Sequence, residues 1–154
     1  MSFREKNAWF AVLTTLVVWG FYFWTLSVGI AERHLDGGAL LTLFLVCMGI
    51  TLVLLLGLNL VAARLARQQF GAPEDELERA VDARALRFSH GLLGFLLLGV
   101  AAGCAWLADW CTTAFPDDPT GSLAILVANA IIFVSVLTEV LREIIHIVHY
   151  RRMA

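Results

Sequence analysis

Four long, predominantly apolar runs, at residues 8–30, 39–63, 91–110 and 122–141, constrain this chain more than any other feature. Crossing a hydrocarbon core about 30 Å thick takes about 20 helical residues, and each run is of that length. In lipid there is no water to satisfy an exposed amide, so a run of this kind spans only as a helix, whose backbone hydrogen bonds are internal. Composition agrees: 60% of the 154 residues are hydrophobic and 16% are charged, more apolar surface than a soluble core absorbs. The expected fold is an all-α membrane protein, a single domain over residues 1–154. It is a four-transmembrane-helix bundle with a cytoplasmic helical loop at 64–90 and a cytoplasmic extension of the fourth helix.

Orientation follows from where the basic residues fall. If both termini and residues 64–90 share one side, that side holds Arg4, Lys6, Arg64, Arg67, Arg79, Arg84, Arg87, Arg142, Arg151 and Arg152, and the other holds Arg33 alone. Short cytoplasmic loops concentrate Lys and Arg, which places both termini in the cytoplasm. The first run, preceded by Arg4 and Lys6, is too long for a cleaved signal and lacks a small-x-small site after it, so it reads as a retained anchor. The net charge of −2 carries no bias toward nucleic acid, and no direct nucleic-acid binding is expected. The three cysteines, Cys47, Cys104 and Cys111, have no paired spacing; the first two sit in apolar runs as small hydrophobes. Cys111 lies past the third run on the outer side, where an intermolecular disulfide is an option.

Residues 64–90 form the only long charged stretch between apolar runs. Pro73 followed by Glu74, Asp75, Glu76 and Glu78 makes a helix start, and Arg84 and Arg87 match the negative end of its dipole. Leu77, Val81, Ala85 and Phe88 recur at helical spacing, and Asp75 and Arg79 stand four apart as an ion pair. Two readings stay open, a solvated extension of the third span and a docking face for a cytoplasmic partner using Leu77, Arg79, Val81, Arg84, Ala85 and Phe88.

The phrase SFREKNAW, ahead of an aromatic-rich span, and the phrase PEDELERAVDARALRFSH both resemble a group of small four-span bacterial inner-membrane proteins of unknown function. In this chain their usual Asp-Glu-Arg start reads Glu76-Leu77-Glu78-Arg79. The resemblance implies a bacterial cytoplasmic-membrane location. Some members are encoded beside helix-turn-helix regulators, which implies a membrane partner for a transcription factor. It supplies no catalytic residue.

Polar residues inside the spans are few and therefore informative. Asn59, Asn129 and Glu139 are the intramembrane candidates, Asn59 and Glu139 lying near the inner edge. Gly99 and Gly103 form a GxxxG pair, the spacing that lets another helix approach closely, within the bundle or between protomers. Phe21, Tyr22, Phe23 and Trp24 read as an interfacial aromatic belt rather than a ligand cage. The end of the fourth run carries Glu143, His146 and His149, and Glu143-x-x-His146 is the ligand spacing of carboxylate-bridged metal bundles. With His90 from the third run these residues make a candidate metal, heme b or pH-sensing cluster, set against ordinary residues reaching for the membrane edge. No nucleophile triad, phosphate loop or nucleotide-binding glycine motif is present, so no enzyme and no cofactor are expected. The leading expectation is a non-enzymatic regulator or scaffold in contact with the bilayer, docking a soluble protein or a second copy of itself. A heme- or metal-binding redox protein is the alternative, and a small ion or metabolite carrier working through Asn129 and Glu139 the weaker one.

Overall fold

A computed structural model describes residues 3–65 and 76–153, with side chains described for 8–57, 83–148 and 151. The chain forms four α-helices, α1 Phe3–Ala31, α2 Gly37–Leu65, α3 Glu76–Ala114 and α4 Pro119–Met153. All four are long and apolar enough to cross a membrane. The four-span expectation is met, and the third span continues without a break from the charged phrase before it. Pro73 and the Asp75–Arg79 pair lie outside the described residues.

The links at 32–36 and 115–118 are too short for anything but antiparallel neighbours, and capping chemistry explains where α1 stops and where α2 and α4 start. The His34 amide donates to the Gly29 carbonyl (2.9 Å) and the Arg33 amide to the Ile30 carbonyl (3.2 Å), the paired bonds of a Schellman cap. That cap needs a left-handed residue, and Arg33 supplies it at φ 53°. Gly29 suits the turn beside it, since a Cβ there would crowd the His34 carbonyl oxygen at 3.1 Å. Asp36 then caps α2, its Oδ1 accepting from the amides of Gly38 (2.9 Å) and Ala39 (3.1 Å). Asp118 caps α4 in the same manner through the Gly121 amide (2.9 Å), with Pro119 in the first helical position, where its missing N–H costs nothing.

Helix α4 is the hub. It packs along α3 on one side and α1 on the other, and α2 packs chiefly on α1. Small buried clusters mark its course. Next to the 115–118 turn, Cys111, Ala114 and Phe115 close on Leu126. At mid-span Trp19, Tyr22 and Cys47 gather Phe44 of α2 and Ile132 and Val136 of α4. At the far end Ala8 and Val12 meet Ile147, and the Arg151 guanidinium stands 5.8 Å over the Trp9 ring. We refer to this as the termini end.

The mid-span cluster has one polar fastening. Tyr22, 2% exposed, donates its hydroxyl to Asn129 Oδ1, and the Asn129 amide donates to the Ile125 carbonyl at 2.8 Å. Asn129, 6% exposed, is thus satisfied on both sides. Trp19 stands edge-on to Tyr22 at 5.8 Å, and Phe23 reaches Phe133 of α4 edge-on at 5.1 Å. Outside these clusters large apolar side chains face outward on every helix, among them Val17, Val53, Phe95, Trp106 and Phe133. Water would not tolerate such a surface, whereas a bilayer covers it.

Cross-helix side-chain bonds inside membrane proteins contribute about 0.6 kcal/mol on average and up to about 1.7. A double-mutant cycle of Tyr22→Phe and Asn129→Leu, followed by thermal unfolding in detergent, is expected to give a coupling toward the upper part of that range. The double variant should be more stable than the sum of the single losses.

A polar notch between α3 and α4

The surplus length of α3 and α4 builds the candidate site. A 39-residue helix is roughly 58 Å long, nearly twice the hydrocarbon thickness, and α4 is almost as long. The two are joined at one end by the 115–118 turn, so their excess runs side by side toward the termini end. There the antiparallel pairing sets Ser89 and His90 of α3 against Ser135, Thr138, Glu139 and Arg142 of α4, around a cavity of about 330 Å³ that also has Leu93 in its wall. Ser135, Thr138, Glu139 and Arg142 fall within two turns on one side of α4, which is why a single notch collects them.

Every hydroxyl in the notch donates to its own helix. Ser89 bonds the Leu86 carbonyl (3.2 Å), Ser135 the Ile131 carbonyl (2.8 Å) and Thr138 the Ser135 carbonyl (2.9 Å). This is how Ser and Thr satisfy themselves in an apolar helix. His90 does likewise, its Nδ1 lying 2.9 Å from the Leu86 carbonyl oxygen. A carbonyl only accepts, so Nδ1 carries the proton, and in the neutral ring Nε2 is left as an acceptor. Arg142 Nη2 makes ion pairs at 2.7 Å with Glu139 and 3.3 Å with Glu143. Ser89 and Thr138 are buried, whereas Glu139, Ser135 and His90 lie open along one side.

The described residues account for part of the expected cluster. Of His90, Glu143, His146 and His149, only His90 lines the notch; Glu143 is held through Arg142, and the side chain of His149 lies outside the described residues. Among the described residues no group of three or more His, Cys, Asp or Glu side chains is placed to hold a metal ion. Glu139, read from sequence as an isolated intramembrane acid, is an ion-paired member of the notch.

The proposed docking set divides as well. Ala85 is 1% exposed and Ser89, one turn on, is also buried, so this stripe of α3 is turned inward and unavailable to a partner. Arg84, Arg87 and Phe88 flank it on the exposed surface. The side chains of Leu77, Arg79, Val81 and Asn59 lie outside the described residues. Gly99 and Gly103 do not mediate a close approach within the chain, since a Cβ at either would meet nothing within 4 Å. The side of α3 used against α4 carries Ser89, Leu93 and Cys111 instead. Cys111 is fully buried, which removes the intermolecular disulfide.

Sequence reasoning missed Tyr22, taken for a belt aromatic, and the shared geometry of Ser89, Ser135, Thr138 and Arg142. The available signal for Tyr22 was Asn129 itself, an amide in mid-span that needs a partner from another helix. Compared with known proteins, the chain matches no protein family, no curated protein and no solved structure.

Because Arg142 serves two carboxylates, its loss leaves both without their cation. Arg142→Met is expected to lower the unfolding temperature in detergent more than Glu139→Gln does, and Arg142→Lys to recover only part of the loss. Equal effects of Arg142→Met and Glu139→Gln would show that the pair with Glu143 adds nothing to the pair with Glu139.

Proposed function

We propose that this chain is a non-enzymatic integral membrane protein of the bacterial cytoplasmic membrane, a regulator or scaffold whose termini end faces the cytoplasm and docks a soluble partner. The observation that carries the reading is the asymmetry between the two ends. At the termini end, α3 and α4 carry exposed Arg84, Arg87, Phe88 and Arg151. The opposite end offers two short turns, which leave little surface for recognition. The basic asymmetry supports the cytoplasmic orientation. An arginine pair beside an exposed aromatic suits an acidic protein surface with an apolar centre, since Arg and aromatic residues dominate binding energy at interfaces. A transcription regulator is the partner class that the resemblance of the two sequence phrases suggests.

The test is a photoreactive amino acid at position 88 in otherwise intact protein in its native membrane. A discrete adduct with one soluble protein is expected, reduced about tenfold or more by Arg84→Glu with Arg87→Glu, as losing interface anchors of more than about 1.4 kcal/mol requires. Phe95→Ala, on the outward face of the span, should leave it intact. Adducts with lipid alone, or an adduct indifferent to both arginines, would contradict the reading. A Soret band or stoichiometric metal in the purified protein would replace it with the redox alternative.

A further inference from the structure

The α3–α4 notch has a chemical bias that the docking reading does not use. Its hydroxyl hydrogens are spent on backbone carbonyls, and so is the Nδ1 hydrogen of His90. Beside the Arg142 guanidinium, which also lines the cavity, the wall offers acceptors: the Ser135 and Thr138 oxygens, the Glu139 carboxylate and, where the His90 ring holds its one proton on Nδ1, its Nε2. The Arg142 guanidinium is shared between two carboxylates, Glu139 in the wall and Glu143 just outside it, so the site holds both signs of charge side by side. The occupant complementary to the acceptors is a cation with several N–H donors. Thr138 and Ser89 are more than nine-tenths buried, so hydroxyl oxygens are held inside the wall, out of reach of bulk solvent.

Position along the helix narrows the occupant further. Counting from Ser122, buried beside the outer turn, Glu139 lies about 26 Å and Arg142 about 30 Å along α4 at 1.5 Å per residue. With a hydrocarbon core about 30 Å thick, the notch sits at the headgroup boundary of the leaflet at the termini end. The Glu139 side chain is 55% exposed at that depth, within reach of a headgroup. Arg142 has five N–H donors and remains 31% exposed, so it retains donors for an anion next to the cation.

We propose that the notch is a headgroup site for a phospholipid bearing a primary ammonium, of the ethanolamine class. The ammonium lies among Glu139, Ser135, Thr138 and His90 Nε2, and the phosphate diester lies against Arg142. A quaternary choline headgroup has no N–H to give these acceptors, and a glycerol headgroup has no cation. The site therefore discriminates by hydrogen bonding, which penalises an analogue lacking the donor more than one lacking bulk. This assignment does not depend on the docking reading or on which side of the membrane the end faces.

The experiment reconstitutes the full chain into nanodiscs of dioleoylphosphatidylcholine containing dioleoylphosphatidylethanolamine or dioleoylphosphatidylglycerol, extracts it in mild detergent, and measures the lipid retained per chain by native mass spectrometry. Retention of about one ethanolamine lipid is expected, at least about tenfold over choline or glycerol lipid, the discrimination that one charge-assisted hydrogen bond of about 1.5–3 kcal/mol supports. Glu139→Gln and Thr138→Val should each remove that preference. Phe95→Ala should keep it. Thr138→Val guards against misfolding, since it is nearly isosteric and removes no charge; circular dichroism on each variant checks that the helices are intact. Equal retention of choline lipid, or an ethanolamine preference that survives in both folded variants, overturns the assignment. So does displacement of the retained lipid by millimolar free ethanolamine, which would mark a soluble-amine site.

Discussion

Hydrocarbon offers no hydrogen-bond partner, and among the described residues the buried polar side chains answer that fact, save the Trp9 indole N–H, which has no partner. The backbone solves it by forming four long helices with capped ends. Thr25, Thr42, Thr51, Ser135 and Thr138 solve it by donating to a carbonyl on the preceding turn of their own helix. Asn129 cannot, because its amide carries both donors and an acceptor. Its carbonyl oxygen needs a hydrogen from elsewhere, and Tyr22 on α1 brings it. Burying that one amide thus fixes the register of α1 against α4, and the aromatic cluster of Trp19, Phe23, Phe44 and Phe133 fills in around the fastening.

The same constraint explains why Glu139 and Arg142 sit toward the end of the fourth span and pair with each other. Glu139 would be costly if placed alone at mid-membrane; near the boundary, and paired with Arg142, the cost falls. The two longest helices, α3 and α4, meet there, so the notch arises from the packing of a hairpin whose arms are longer than the bilayer is thick. Structure and candidate chemistry share one origin: the polar groups that the apolar spans reject are gathered where two helices leave the lipid together.

The architecture was legible in the sequence because run length and the absence of charge are properties of single segments. The helix starts at Gly37 and Pro119 precede the apolar runs by two and three residues, because Asp36 and Asp118 cap them. Pair relations were harder to read. Glu143-x-x-His146 has metal-site spacing on its own helix, yet the antiparallel register sets Ser89 and His90 opposite Ser135, Thr138, Glu139 and Arg142. Gly99 and Gly103 have the spacing for close packing, but α4 takes a different side of α3. Ala85 and Phe88, three apart, looked like one face; in a helix they diverge by about 60°, enough to bury one and expose the other. In each case a periodicity within one helix was correct and the choice of which side meets a neighbour belonged to the tertiary arrangement.

That arrangement, with α4 packed on both α1 and α3 and with α2 packed chiefly on α1, is the foundation for the fastening, the notch and the exposed flank alike. It is tested most directly by disulfide trapping in native membranes, in a background where Cys47, Cys104 and Cys111 are replaced by Ala. The pairs Val12→Cys with Ile147→Cys, and Leu93→Cys with Ser135→Cys, are expected to cross-link within one chain under mild oxidation, while Leu45→Cys with Phe95→Cys does not. Intramolecular trapping of the Leu45 and Phe95 positions at a comparable rate, with the α1–α4 pair unreacted, would contradict the account.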